Sequence, residues 1–365
     1  MNTIVGFIGF GLIGGSIAKR LKKIHPEYTI MAYARTTSVL EQAKSDGTID
    51  IVLIAVDEQF SQCDYIFLCT PVTYNAQYLS AIKPYLKDGC ILTDVGSTKT
   101  NIHQEVIAQG LEESFIGGHP MAGSERTGYA NATDYLLENA FYVITPSAKC
   151  HPDDVRKLTA LVKELGAIPI QLDYNRHDYV VAAISHLPHI IAASLVNLVR
   201  DSDSPEQTMK QVAAGGFKDI TRIASSSPVM WEQIIMNNRT NLSLLMRDYI
   251  ASLERILTDI ENGHSEAICR LFEESGAYRN SFQDMPAGPM NKEYSLYCDI
   301  VDQAGAISTI STILAASQIS IKNIGIIHNR SFEQGALKIE FYEEKACADA
   351  VELLTRFGYT IYARK

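Results

Sequence analysis

The sequence predicts an α/β chain: a doubly wound parallel sheet, then an all-helical region, then a ferredoxin-like βαββαβ module. Three observations predict it. Short apolar runs alternate with helical segments up to about residue 173, as a parallel sheet with crossover helices requires. From there to about residue 282 strand-like runs give way to long helical patterns. Beyond a Gly/Pro-rich stretch, MPAGPMN (285–291), strand and helix patterns return in the order βαββαβ within about seventy residues.

The elements follow in order. TIVGFI (3–8) reads as a buried strand and Ser16 to Lys23 as its helix. TIMAYA (29–34), DYIFLCTP (64–71) and CILTDVGS (90–97) read as further strands, and FIGGHPM (115–121) and AFYVITP (140–146) continue the pattern. HDYVVAAISHLPHIIAASLVNLV (177–199) opens the helical region, which includes IIMNNRTNLSLLMRDYIASLERIL (234–257). The last module comprises YSLYCDIV (294–301), a helix through 307–317, ISIKNIGIIHN (319–329), ALKIEFY (336–342), a helix over 345–357 and YTIYA (359–363). The expected domains are 1–173, 174–284, a linker at 285–292, and 293–365.

Composition narrows the function. The 365 residues carry a net charge of −10, which disfavours nucleic acid and anionic membrane as partners. Seven cysteines, scattered and without CxxC spacing, fit a reduced cytosol and argue against a disulfide framework or zinc site. The apolar N-terminus has no basic leader and is broken by glycines, so it does not read as a signal peptide. No uncharged run is expected to reach membrane-spanning length. The expectation is a soluble, cytoplasmic protein.

Gly9, Gly11 and Gly14 form G-x-G-x-x-G between a strand and a helix, the dinucleotide fingerprint of a Rossmann-type fold. Its glycines allow a tight turn, backbone approach to a pyrophosphate and close helix packing, with the helix N-terminus facing the anion. Leu12 and Ile13 fall within this loop, and Thr70 and Pro71 end a neighbouring strand on the same side. The acid that would hold the ribose of NAD is replaced by Ala34. Arg35 next to it either stacks on adenine, contacts a 2′-phosphate, or is a solvated loop residue. NAD is the expected cofactor, with NADP left open.

Four further segments carry chemistry: DVGSTK (94–99), GGHPMAGSE (117–125), SHLPH (185–189) and GGFKDITRIA (215–224). In this order after the glycine loop, they resemble the prephenate dehydrogenase family over essentially the whole chain, and the last module resembles an ACT domain. The resemblance implies oxidative decarboxylation of prephenate to 4-hydroxyphenylpyruvate with hydride transfer to NAD. It implies His119 as the base for the ring hydroxyl, and Ser97 as its hydrogen-bonding partner near the nicotinamide. Ser97 also reads as the N-cap of the helix that follows it. Asp94 and Lys99 flank it and read as structural. Arg222 and Lys218 fall to the substrate carboxylate, His189 (favoured over His186) to the side chain, and Glu125 to gating. No metal is expected. The resemblance also implies a homodimer built from the helical region, and L-tyrosine as effector at Asp302, Gly305, Ala306, Ile307 and Asn323.

Other readings stay open at this stage. The same chemistry on arogenate, linked to NADP, differs only in the substrate side chain. A β-hydroxyacid dehydrogenase would not explain GHPMAGSE. A non-catalytic nucleotide- and amino-acid-binding regulator would leave His119, Ser97 and Arg222 without a task. No chorismate-mutase-like stretch precedes the glycine loop, so a bifunctional form is not expected.

Overall fold

A computed structural model describes residues 3–123, 127–282, 294–300, 303, 305–327 and 336–362. Glu125, Asp302 and the expected linker 285–292 lie outside the described residues. The chain divides into two compact units, residues 1–258 and 259–365.

The first unit begins with β1 (Ile4–Ile8), α1 (Leu12–Ile24), β2 (Thr29–Tyr33), α2 (Thr37–Ser45), β3 (Ile51–Leu53), β4 (Tyr65–Leu68), α3 (Asn75–Ile82) and β5 (Ile91–Asp94). The five strands are parallel in the order β3-β2-β1-β4-β5. Both faces are covered, which is why these strands are continuous apolar runs. Val5, Phe7, Ile30, Ala32 and Phe67 pack against Ile17, Ala18 and Leu21 of α1. Ile8, Met31, Ile66 and Leu68 turn to the other face, against Leu79 and Ile82 of α3. Strand order reverses between β1 and β4, so the crevice beyond their C-terminal ends is where such sheets bind ligands.

After α4 (Thr100–Gln109), the chain forms β6 (Ile116–Pro120), β7 (Phe141–Pro146), α5 (Pro152–Glu164) and β8 (Ile168–Gln171). Here the structure corrects the sequence reading. These strands do not continue the parallel pattern. They form a separate three-stranded sheet in which β6 runs antiparallel to β7 and β8 parallel to it. A bridge from Leu92 to Phe115 links the two sheets.

The helical region comprises α6 (Tyr174–Val181), α7 (Leu187–Ser202), α8 (Thr208–Val212), α9 (Gly215–Thr221), α10 (Pro228–Asn237) and α11 (Arg239–Glu261). A π-helical turn, Ala182–His186, joins α6 to α7. Pro188, at the start of α7, cannot donate to the preceding turn and its ring crowds it, which accounts for the irregularity. The run Tyr174–Ser202 has a mean hydropathy of 1.7 and the length of a membrane span, and Tyr179–Val199 contains no Asp, Glu, Lys or Arg. The expectation that no uncharged run reaches that length is therefore wrong. His177, Asp178 and His186 on this run are buried and hydrogen-bonded to polar groups of the same unit, as in a core helix.

The second unit holds α12 (Ser265–Ser281), β9 (Tyr294–Asp299), α13 (Ala306–Ala316), β10 (Ile321–Ile327), β11 (Ala336–Phe341), α14 (Glu344–Arg356) and β12 (Ile361–Tyr362). The four strands are antiparallel in the order β10-β11-β9-β12. Ile310 and Leu314 of α13 and Ala350 and Leu354 of α14 cover Leu296, Leu337 and Ile339.

Candidate active site

The cofactor residues gather at the switch point. Gly9 follows β1 with φ +88°, and its N–H donates to the Tyr33 carbonyl at 2.8 Å. A Cβ there would lie 2.8 Å from the backbone carbonyl of Cys69, at the end of β4, so only glycine fits. Around Gly11, by contrast, a Cβ would meet open space. Gly11 caps α1 without a side-chain hydrogen bond among the described residues, which leaves the first-turn N–H groups of Leu12 and Ile13 for an anion. Across the crevice, Thr70 Oγ1 is buried without a hydrogen-bond partner among the described residues, and Pro71 follows it. A pyrophosphate fits this cradle. Farther along the crevice, Arg35 lies over the Tyr74 ring, 4.7 Å from its centroid, and donates to the Tyr74 hydroxyl at 3.2 Å.

Two carboxylates build the chemical centre. Asp94, ending β5, is 1% exposed. Its Oδ2 accepts from Gly96 N at 2.9 Å and from Lys99 Nζ, and its Oδ1 accepts from Gly118 N at 3.1 Å. A Cβ on Gly118 would sit 2.6 Å from the Asp94 carbonyl oxygen, so glycine lets β6 close onto β5. One carboxylate thus ties the bend carrying Ser97 to the strand carrying His119. Burial pulls the Lys99 ammonium below its ordinary range against the pull of Asp94.

Asp178 of α6 is the second carboxylate. Its Oδ1 accepts from Lys99 N at 2.7 Å and its Oδ2 from Thr100 N at 2.8 Å. The N-terminus of α4 is therefore capped by another helix. Ser97 lies in the bend before it, with Lys99 as N-cap residue, so the expected capping role of Ser97 is corrected. Burial opposes the charge on Asp178, but hydrogen bonds from His177, Thr100 and Lys99 outweigh it and hold the carboxyl below its usual range.

His119 lies on the strand read at 115–121. It sits within β6, opposite Val143, and is 8% exposed. Its Nδ1 is 2.8 Å from His177 Nε2, and His177 Nδ1 is 2.8 Å from Asp178 Oδ1. The ionised carboxylate only accepts, so His177 carries its proton on Nδ1 and its Nε2 accepts from His119 Nδ1–H. His119 keeps its lone pair on Nε2. Burial first, then His177, Lys99 and His186, hold His119 well below the ordinary histidine range, so it is neutral at pH 7. Sequence reasoning missed His177 and Asp178. The signal was a His–Asp pair in the first turn and a half of the helix that follows the second sheet.

His186, His189, Lys218 and Arg222 lie in the helical region. His189 Nδ1 is 2.8 Å from the Ser185 carbonyl, and its ring stacks on Trp231 at 3.6 Å. His186, at 1% exposure, faces the same indole edge-on and accepts from Asn238 Nδ2 at 3.2 Å. The other Asn238 proton goes to the Asp178 carbonyl at 2.7 Å. The turn Arg222–Ser225 and α9 pack on α7, and the Arg222 charge helps to lower His189. Lys218 and Arg222 are exposed in the single chain. In the second unit, Gly305 (φ +94°) caps α13, where Ala306 and Ile307 open the first turn. The Asn323 amide oxygen, on β10, accepts from Ile324 N.

Residues 17–171 match the nucleotide-binding domain of prephenate dehydrogenase, and residues 173–274 match the dimerization domain of prephenate dehydrogenase. Prephenate dehydrogenase from Bacillus subtilis is 36% identical over 94% of this chain and 93% of its own length. The chain belongs to the prephenate dehydrogenase family. The Lactococcus lactis prephenate dehydrogenase is 35% identical and covers 96% of both chains. Among solved structures, the Aquifex aeolicus prephenate dehydrogenase in complex with hydroxyphenyl propionate and NAD+ superposes with a TM-score of 0.72 at 28% identity, over 77% of this chain and 99% of its own. Synechocystis arogenate dehydrogenase superposes with a TM-score of 0.70 at 29% identity, over 77% and 100%. The two solved structures thus span about three quarters of this chain, whereas the two bacterial relatives span nearly all of it.

Proposed function

We propose that the protein oxidatively decarboxylates prephenate to 4-hydroxyphenylpyruvate with NAD, using His119 as the base. The observation that carries this reading is the buried His119 on β6, whose tautomer leaves a lone pair on Nε2. With its pyrophosphate in the cradle of Gly9, Gly11, Leu12, Ile13, Gly14, Thr70 and Pro71, NAD would supply the hydride acceptor. His119 Nε2 takes the ring-hydroxyl proton, and Ser97 hydrogen-bonds the same oxygen. Arg222 and Lys218 hold the substrate carboxylate. His189 faces its side chain, and Glu125 orders the entrance. The protein works as a cytoplasmic homodimer, supported by the dimerization-domain match and by the exposed Leu198, Leu244, Leu253 and Leu257 on α7 and α11.

His119→Asn is expected to lower kcat by about 10²–10⁴, the usual contribution of a general base, with little change in KM. A near-normal kcat would remove His119 from this role.

A second reading, activity on arogenate as well, is favoured by His189. Its Nδ1–H is committed to a carbonyl, so its Nε2 is an acceptor suited to an ammonium. Steady-state rates with both substrates, each against NAD and NADP, separate the readings. The same assay reports whether Arg35 takes a 2′-phosphate.

We also propose that the C-terminal module is an ACT domain that binds L-tyrosine and inhibits the enzyme. Support comes from its βαββαβ order and from the N-terminus of α13 behind Gly305, which has no side-chain cap among the described residues. Asp302, Ala306, Ile307 and Asn323 complete the proposed site.

A further inference from the structure

We propose that His177 is a positioning residue of the reaction: standing between His119 and Asp178, it fixes the tautomer of the base and links the base to a buried carboxylate. The inference rests on the reading of His119 as base, and deepens it.

Four atoms carry the argument. Asp178 Oδ1, His177 Nδ1 and Nε2, and His119 Nδ1 are joined by two contacts of 2.8 Å. The rings of His119 and His177 meet edge to face, 5.0 Å between centroids at 72°. His177 is fully buried and Asp178 is 1% exposed, so water does not compete for these contacts. At His177 the Asp178 and Asp94 carboxylates favour a cation, whereas burial and the Lys99 charge oppose it. Lys99, on the loop before α4, is paired with Asp94 at the end of β5. His186, on the π-turn, is held neutral by burial, its titration pushed down to about 4. That leaves Asp178, on α6, as the one of these charges without a counter-charge among them. Its remaining partners are the N–H groups of Lys99 and Thr100.

The proton balance follows. His119 Nε2 gains the hydroxyl proton. His119 Nδ1–H then moves to His177 Nε2, which puts an imidazolium directly against the Asp178 carboxylate. The return path reverses these steps and releases one proton from His119 Nε2. No proton is created or lost on the relay, and no other group changes its bonding. Without His177, an imidazolium at His119 would face the Lys99 ammonium with no carboxylate linked to it, a costly buried charge.

His177→Phe removes both contacts. His177→Gln retains an acceptor at the Nε2 position without being able to pass a proton. The expected result is a kcat lowered roughly 10- to 100-fold in the Phe variant, part of what a general base supplies. Prephenate KM should hold, and the acid limb of the pH profile should move to lower pH because the base loses its link to Asp178. The Gln variant should recover part of the rate and most of the profile. In the unaltered protein, 15N-histidine NMR should show His119 protonated on Nδ1 and bare on Nε2. Wild-type kcat and profile in the Phe variant, beside an inactive His119→Asn, would overturn the relay and leave the base intact. Equal losses in Phe and Gln, with KM rising as kcat falls, would make His177 structural only. An Nε2-protonated His119 would overturn the proposal even if neither variant folds.

Discussion

His119 takes its chemistry from neighbours that its own motif does not contain. GGHPMAGSE marked the residue through its likeness to the family's motif. His177 and Asp178 lie 58 and 59 positions further on, and their meaning exists only once α6 is folded against β6. The Ser97 reading failed for the same reason: a local pattern suggested a self-supplied cap, and the cap comes from Asp178 across 78 residues. The likeness of GGFKDITRIA to the family suggested Arg222 as the cation for the substrate carboxylate, and the structure sets it in a turn packed on the helix of His189. Arg222→Ala is expected to raise the KM for prephenate by roughly 10- to 100-fold. This corresponds to a charge-assisted contact worth about 1.5–3 kcal/mol, and KM for NAD should be unchanged. Steady-state kinetics check it. A collapse of NAD binding with prephenate KM intact would move Arg222 to the cofactor.

At the scale of elements, periodicity revealed most strands but not their partners. The apolar runs at β6 and β7 look like those of β4 and β5. Direction goes with the connection: among its described residues the stretch from 121 to 140 holds one 3-10 turn, Tyr129–Asn131, and no crossover α-helix of the kind a parallel neighbour uses, and the pair is antiparallel. The junction of this sheet with α4 and α6 has a consequence for stability. His103, His119, His177 and His186 are all buried there, and burial holds each below its ordinary value, His103 and His186 to about 4. Below pH ~6.5 the unfolded chain takes up protons that the folded one refuses. Stability is therefore present above pH ~6.5 and lost as pH falls toward about 4, by up to ~1.4 kcal/mol per pH unit for each such histidine. Asp178, held ionised, adds loss of the same sign at the acid end. Thermal melts followed from pH 7.5 down to 5 should show a steep fall in Tm. A flat Tm over that interval would mean that these histidines are protonated in the folded protein.

At the scale of the whole molecule, the fold order was legible because each region has its own period: short apolar runs, long helical stripes, and strands again after a Gly/Pro-rich stretch. The chemistry described for His119 belongs entirely to residues 1–258, while Gly305 and Asn323 belong to 259–365. The matches to the family domains end at residue 274, ahead of the last ninety or so residues. This separation makes inhibition by tyrosine testable as coupling between distinct sites. An effector that binds the second unit changes activity only through a difference in affinity between two states of the protein, typically 1–3 kcal/mol or about 5- to 150-fold. Coupling of that kind is reciprocal, so prephenate should weaken tyrosine binding by the factor by which tyrosine weakens prephenate binding. A chain ending at Lys292 should keep its kcat with prephenate and lose its response to tyrosine, while the full chain is inhibited. Tyrosine also resembles the product, and a product-like ligand competes at the substrate pocket without any second site. If the shortened chain is inhibited at the same tyrosine concentration as the full one, tyrosine acts beside His119, and the C-terminal module has a different task.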